Sequence, residues 1–207
     1  MTGQTPARAT RITFAARAER YARAVLAGEI VAGKWVKAAC QRHLDDLVRS
    51  ETDADWPYVF DEQKCGRVCS FLQCLPHIKG RWARPVRKDG RVMRPTIALE
   101  DWQVFAYGVP FGWVHRETGL RRFRWLYLRV ARKNAKSTPC AGLALYLGFA
   151  DDEPGAEVYS LATKEKQARI VWEMARSMVL ADSEFRLPVP AGLGISTTRR
   201  AIFQQHT

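Results

Sequence analysis

Apolar residues recur at helical spacing along most of the chain. Phe14 to Ala27 is rich in alanine and arginine and predicts a first helix, closed by a break between Gly28 and Gly33. Lys34 to Arg49 predicts a second, with Trp35, Ala38, Ala39, His43 and Leu47 on one face. Asp61 to Leu75 predicts a third, capped by Asp61 and striped by Cys65, Val68, Cys69, Leu72 and Leu75. Ala98 to Gly112 predicts a fourth, led by Leu99, Trp102, Phe105 and Ala106. Ser137 to Phe149 predicts a fifth, with Pro139 in the first turn, where a missing N–H costs nothing. A sixth runs from a Thr163 cap to Leu180, with Lys166 rather than an acid at the capping-box position.

Between these helices the pattern changes. Arg121 to Val130 is aromatic and β-branched and predicts a buried strand, entered through the turn Glu117-Thr118-Gly119. Ala156 to Ala162 predicts a second strand, and Arg200 to Gln204 is a candidate third. Strand, helix, strand, helix, strand in that order predicts an α/β fold with a parallel sheet and right-handed crossovers. Arg81 to Arg94 carries six arginines and lysines around Asp89-Gly90 and reads as a basic loop or a short hairpin. A boundary follows it. Residues 1–95 form a helical leader with the basic loop, and residues 96–207 form the α/β domain.

The junction between the first strand and the fifth helix carries the candidate chemistry. It runs Arg132-Lys-Asn-Ala-Lys-Ser-Thr138. A strand, a basic turn, Lys-Ser/Thr and a helix are the layout of a phosphate-binding loop, in which backbone N–H groups and the helix dipole face an anion. Lys136 is placed to neutralise β- and γ-phosphate charge, and Ser137 to hold Mg²⁺ through its hydroxyl, with Thr138 as the alternative. Arg132 and Lys133 add positive charge, and Asn134 shapes the turn. The two glycines of the usual loop are replaced by Val130 and Ala135. A basic, solvated turn with an ordinary helix cap therefore remains the competing reading.

The 207 residues carry a formal net charge of +12, with a pI near 9.9. Charge of this size favours a polyanionic partner through counterion release. No apolar run is long enough to span a bilayer, and Met1 to Arg11 lacks the apolar core of a secretion signal, so a cytoplasmic location is expected. Five cysteines do not suggest a disulfide framework. Cys65, Cys69, Cys74 and His77 match no zinc-ligand spacing and fit an apolar stripe better. Asp101, Asp151 and Asp152 read as cap and turn residues.

Taken together, these segments resemble the N-terminal part of the large subunit of tailed-phage terminases, the motor that packages viral DNA. The likeness is carried by Ala32-Gly-Lys-Trp-Val36 with Arg42-His-Leu44, Leu75-Pro-His-Ile-Lys-Gly80, Leu99-Glu-Asp-Trp-Gln103, Arg121-Arg-Phe-Arg124, Arg132 to Thr138, Ala141 to Leu147, and Gly155-Ala-Glu-Val-Tyr-Ser160 with Ala162-Thr-Lys164 and Gln167-Ala-Arg169. They run in family order from about Tyr21 onward.

The resemblance implies a P-loop NTPase domain of the additional-strand class, using ATP and Mg²⁺, with Lys136 as its catalytic lysine. It implies nucleotide contacts from Arg132, Lys133, Asn134, Ala135, Ser137 and Thr138. Trp102-Gln103 resembles the adenine-reading pair that precedes the loop; a glutamine amide can donate and accept at the adenine edge, and an ordinary helix-surface glutamine is the alternative. Implied partners are double-stranded DNA, a portal protein and a small terminase subunit, in a homo-oligomeric ring working from the bacterial host cytoplasm at the procapsid portal. The family's loop has glycine where this chain has Ala135. The apolar strand ending in Asp-Glu, and the nuclease carboxylates, do not occur by Thr207. The expectation is thus an incomplete P-loop sheet, truncated and nearly inactive alone, the alternative being a non-catalytic basic module for DNA or a partner with a decayed nucleotide site.

Overall fold

A computed structural model describes residues 12–88, 90–134 and 136–181. It divides into two compact units. One takes the chain up to Ser70 together with Leu99–Arg129; the other takes Phe71–Ala98 together with the described residues from Val130 onward.

In the first unit, α1 (Phe14–Leu26) starts at Thr13, whose hydroxyl accepts from the Ala16 N–H at 3.1 Å. Its buried face, Ala15, Ala18, Ala22 and Val25, is narrow enough for close packing against α4 (Asp101–Gly112). Arg17 Nε donates to Asp101 Oδ1 at 2.8 Å and Arg17 Nη2 to the Leu99 carbonyl at 2.8 Å, while Arg20 Nη2 reaches Asp101 Oδ2 at 2.9 Å. Burial pushes the Asp101 carboxyl up, but these hydrogen bonds outweigh it and hold the group below its ordinary range. Negative charge at the first residue of α4 also suits the helix dipole.

The next helix, α2 (Lys34–Thr52), buries Cys40, His43 and Asp46. The expected face is corrected here. His43 is on it, but Trp35 is 77% exposed and Ala38 is exposed, because the strip that meets the unit begins one turn later. Two strands absent from the sequence reading, β1 (Tyr58–Phe60) and, directly after α4, β4 (Trp113–His115), pair antiparallel with Tyr58 opposite His115 and Phe60 opposite Trp113. Three residues each are too few for alternation to register.

The division between units falls within α3 (Glu62–Cys74). Asp61 caps it, accepting from the Lys64 N–H at 3.0 Å, and the expected stripe is fully buried from Cys65 to Leu75. In the second unit, α5 (Ser137–Phe149) packs against α6 (Glu165–Ala181). Gly142 of α5 meets the end of α3 so closely that an added Cβ would lie 2.5 Å from Leu72 Cδ2 and 2.9 Å from Leu75 Cδ1. The basic segment forms a hairpin, β2 (Val86–Lys88) antiparallel to β3 (Arg91–Met93).

The parallel sheet expected from 121–130 and 156–162 is not formed among the described residues, where the ladders are two antiparallel pairs. Arg121 makes one isolated bridge to Val114, and residues 123–131 join no ladder. Trp125 and Tyr127 are 92% and 87% exposed, and Tyr159 and Leu161 of the second segment are 75% and 90% exposed. Apolar composition marks a segment able to be a buried strand. Burial itself requires neighbours on both edges and a covered face, and no described residues supply them. The third candidate, Arg200 to Gln204, lies outside the described residues.

Candidate functional site

The basic junction lies in the second unit. Its helix, α5, begins at Ser137, as expected, and places the Ser137 and Thr138 hydroxyls in the first turn, with Pro139 buried behind them. Lys136 precedes the helix in helical backbone geometry, φ −56° and ψ −46°. Its side chain folds back over the turn, and Nζ donates to the Val130 carbonyl at 2.8 Å in a partly buried setting. Asn134 Nδ2 donates to the Ala131 carbonyl at 3.3 Å, three residues back in the turn. Lys133 takes φ +69°. For a residue with a Cβ, that left-handed conformation costs roughly 1–2 kcal/mol and is one half of the arrangement that makes anion-binding nests. Ala135 lies outside the described residues.

The electrostatics are one-sided. No acidic residue occurs between Glu117 and Asp151. Arg132 and Lys133 are exposed and make no ion pair among the described residues. Burial pushes the Cys140 thiol up, opposed by the Lys136 ammonium, which acts on the first turn of the helix. A half-buried ammonium held by a single carbonyl, two unpaired cations on the rim and two hydroxyls at a helix start form a donor set that fits a polyphosphate with Mg²⁺. Among the described residues no group of three or more His, Cys, Asp or Glu is arranged to hold a metal by itself, so an ion here would depend on a hydroxyl and the phosphates. The cysteine stripe is likewise packing. Cys65 and Cys69 are buried free thiols, and the Cys69 hydrogen bond, then burial, push Cys65 up.

Trp102 and Gln103 belong to the first unit. Trp102 is half-buried. Gln103 is buried, and its Oε1 accepts from the Glu100 N–H at 2.9 Å, completing a capping box at the start of α4. Its amide oxygen is thus engaged in starting the helix.

A second polar cluster in the first unit escaped the sequence reading. Arg122 Nη1 donates to Asp46 Oδ2 at 2.5 Å, with the two side chains only 16% and 10% exposed. The guanidinium stands 4.9–5.6 Å from the ring centroids of Trp56, Tyr58, Trp113 and Phe123. Trp113 Nε1 donates to His43 Nδ1 at 3.1 Å, and His43 Nε2 is buried without a partner among the described residues. The available signal was Arg121-Arg-Phe-Arg124 beside scattered aromatic residues, a pattern that the strand reading absorbed.

Residues 101–186 match the family described as terminase large subunit, ATPase domain, a span that takes in α4, the basic junction, α5 and α6. No match is found among curated proteins or solved structures. The stretch from 101 to 186 is thus similar to the ATPase domain of terminase large subunits.

Proposed function

We propose that this chain is the ATP-binding part of a DNA-packaging motor, and that the turn from Val130 to Thr138 receives the triphosphate. The observation that carries this reading is Lys136, whose ammonium is held over the turn by the Val130 carbonyl inside the span of the family match. A single neutral acceptor is readily exchanged for a phosphate oxygen, since a charge-assisted hydrogen bond is roughly twice as strong as a neutral one. Arg132 and Lys133 flank the phosphates, Asn134 shapes the turn, and Ser137 holds Mg²⁺, with Thr138 as the second hydroxyl. Trp102 and Gln103, expected to read adenine, belong to the first unit, where the Gln103 amide oxygen caps α4. When bound, ATP with Mg²⁺ supplies the phosphoryl-transfer free energy that drives such motors. Duplex DNA, a portal protein, a small subunit and a ring of copies are the partners this reading entails, in the host cytoplasm. No helix among the described residues is long and apolar enough to cross a membrane.

A fluorescent ATP analogue tests the loop. Binding should require Mg²⁺ and be lost in Lys136→Ala; binding that ignores both would contradict it.

Two observations favour a second reading. Residues 123–131 lead into the turn without joining a ladder, and Ala135 replaces a loop glycine. A basic DNA- or partner-binding module with a decayed site fits both, and would bind duplex with strong salt dependence and no response to nucleotide.

A further inference from the structure

We propose that the β2–β3 hairpin is a contact surface for the phosphate backbone of double-stranded DNA. This deepens the motor reading and rests on it for the identity of the polyanion. Between Glu62 and Glu100 the sole acidic residue is Asp89, against nine lysines and arginines, Lys64, Arg67, Lys79, Arg81, Arg84, Arg87, Lys88, Arg91 and Arg94. Lys79, Arg84, Arg87 and Arg94 are exposed and have no ion pair among the described residues. Arg81 is exposed as well, its guanidinium 4.6 Å from the ring centroid of Trp82. Cations that stabilised the fold would be expected beside carboxylates, as Arg17 and Arg20 are beside Asp101.

The hairpin is also firmly rooted. The His77 N–H donates to the Pro95 carbonyl and the Ile97 N–H to the Leu75 carbonyl, each at 2.9 Å, while Pro76 bridges Thr96. Leu75 and Ile97 are buried, 0% and 5% exposed, so the paired chains extend the ribbon down to the end of α3. That end packs on Gly142 of α5, the helix that opens at the candidate loop. A two-stranded ribbon fits a duplex groove, and its cations fix position on the phosphates without reading sequence. A load on the hairpin would thus be transmitted to the helix that follows Lys136.

The test is the salt dependence of binding of the full chain to a fluorescent duplex. Each phosphate contact contributes about 0.9 to the slope of log K against log salt. The triple variant Arg84→Gln, Arg87→Gln, Arg94→Gln should lower that slope by about 2 to 3 and weaken binding at low salt. Arg84→Lys, Arg87→Lys, Arg94→Lys should restore the slope. A charge-matched control, Lys37→Gln, Lys166→Gln, Arg176→Gln, should leave it nearly unchanged. If the hairpin and control variants behave alike while the unaltered chain binds duplex, the hairpin assignment fails and the motor reading stands. If the unaltered chain ignores duplex at low salt but retains Lys136-dependent nucleotide binding, duplex contact by this chain fails altogether, and the hairpin with it. Tighter, hairpin-dependent binding to anionic vesicles than to duplex would make the surface a lipid contact and overturn the proposal.

Discussion

Asp46, Arg122, Trp113 and His43 show how much of the first unit depends on single side chains. The Arg122–Asp46 pair is buried, so removing one partner strands a charge away from water. Arg122→Ala should destabilise by about 3 kcal/mol or more, measured by urea unfolding; a loss within experimental error would mean that Asp46 is solvated. Arg122→Lys should recover little, since a point charge cannot lie flat among four rings. His43 is held neutral by burial, its pKa lowered from 6.5 to about 4 against opposing pulls from Glu19 and Asp46. The unfolded chain takes up this proton as pH falls through 6.5, the folded chain only near 4. The His43 contribution to stability is therefore intact above pH 6.5, declines between 6.5 and 4 by on the order of 3 kcal/mol, and declines no further below. His43→Gln should flatten unfolding midpoints across that window; an unchanged pH profile would show that His43 is not the titrating group. His43 was legible from the sequence as a face residue. Its tryptophan partner, 70 positions away, was not, because sequence spacing carries no information on a contact made by tertiary folding.

At the scale of elements, helices were legible where apolar spacing and punctuation agreed. Asp61 caps α3 and Pro139 sits in the first turn of α5, each a local physical requirement written in the residue itself. Strands depend on partners instead. Residues 123–131 and 156–162 have strand composition yet join no ladder among the described residues, whereas β1 and β4 pair despite their shortness. Helix glycines give a paired prediction. Gly142→Ala should cost about 1–3 kcal/mol, because its Cβ would press on the buried ends of Leu72 and Leu75. Gly66→Ala, with nothing within 4 Å on the same α3, should instead gain roughly 0.5–1 kcal/mol. Thermal melts of both variants check the sign, and a stabilising Gly142→Ala would contradict the packing of α3 on α5.

Across the whole molecule, positive charge is concentrated where acidic residues are missing. The span from Glu117 to Asp151 contains the candidate phosphate turn, and the span from Glu62 to Glu100 contains the hairpin. The site was legible as a run of residue types, Lys-Ser-Thr after a basic turn. The curl of Lys136 onto Val130, and the use of Gln103 in a cap, were not, since both depend on backbone atoms that a residue pattern does not locate. Amide chemical-shift mapping of the labelled full chain with a non-hydrolysable ATP analogue and Mg²⁺ tests the central claim most directly. The account predicts the largest shifts at Arg132 to Thr138, absent without Mg²⁺ and abolished by Lys136→Ala. Shifts confined to other parts of the chain, or none at saturating nucleotide, would contradict it.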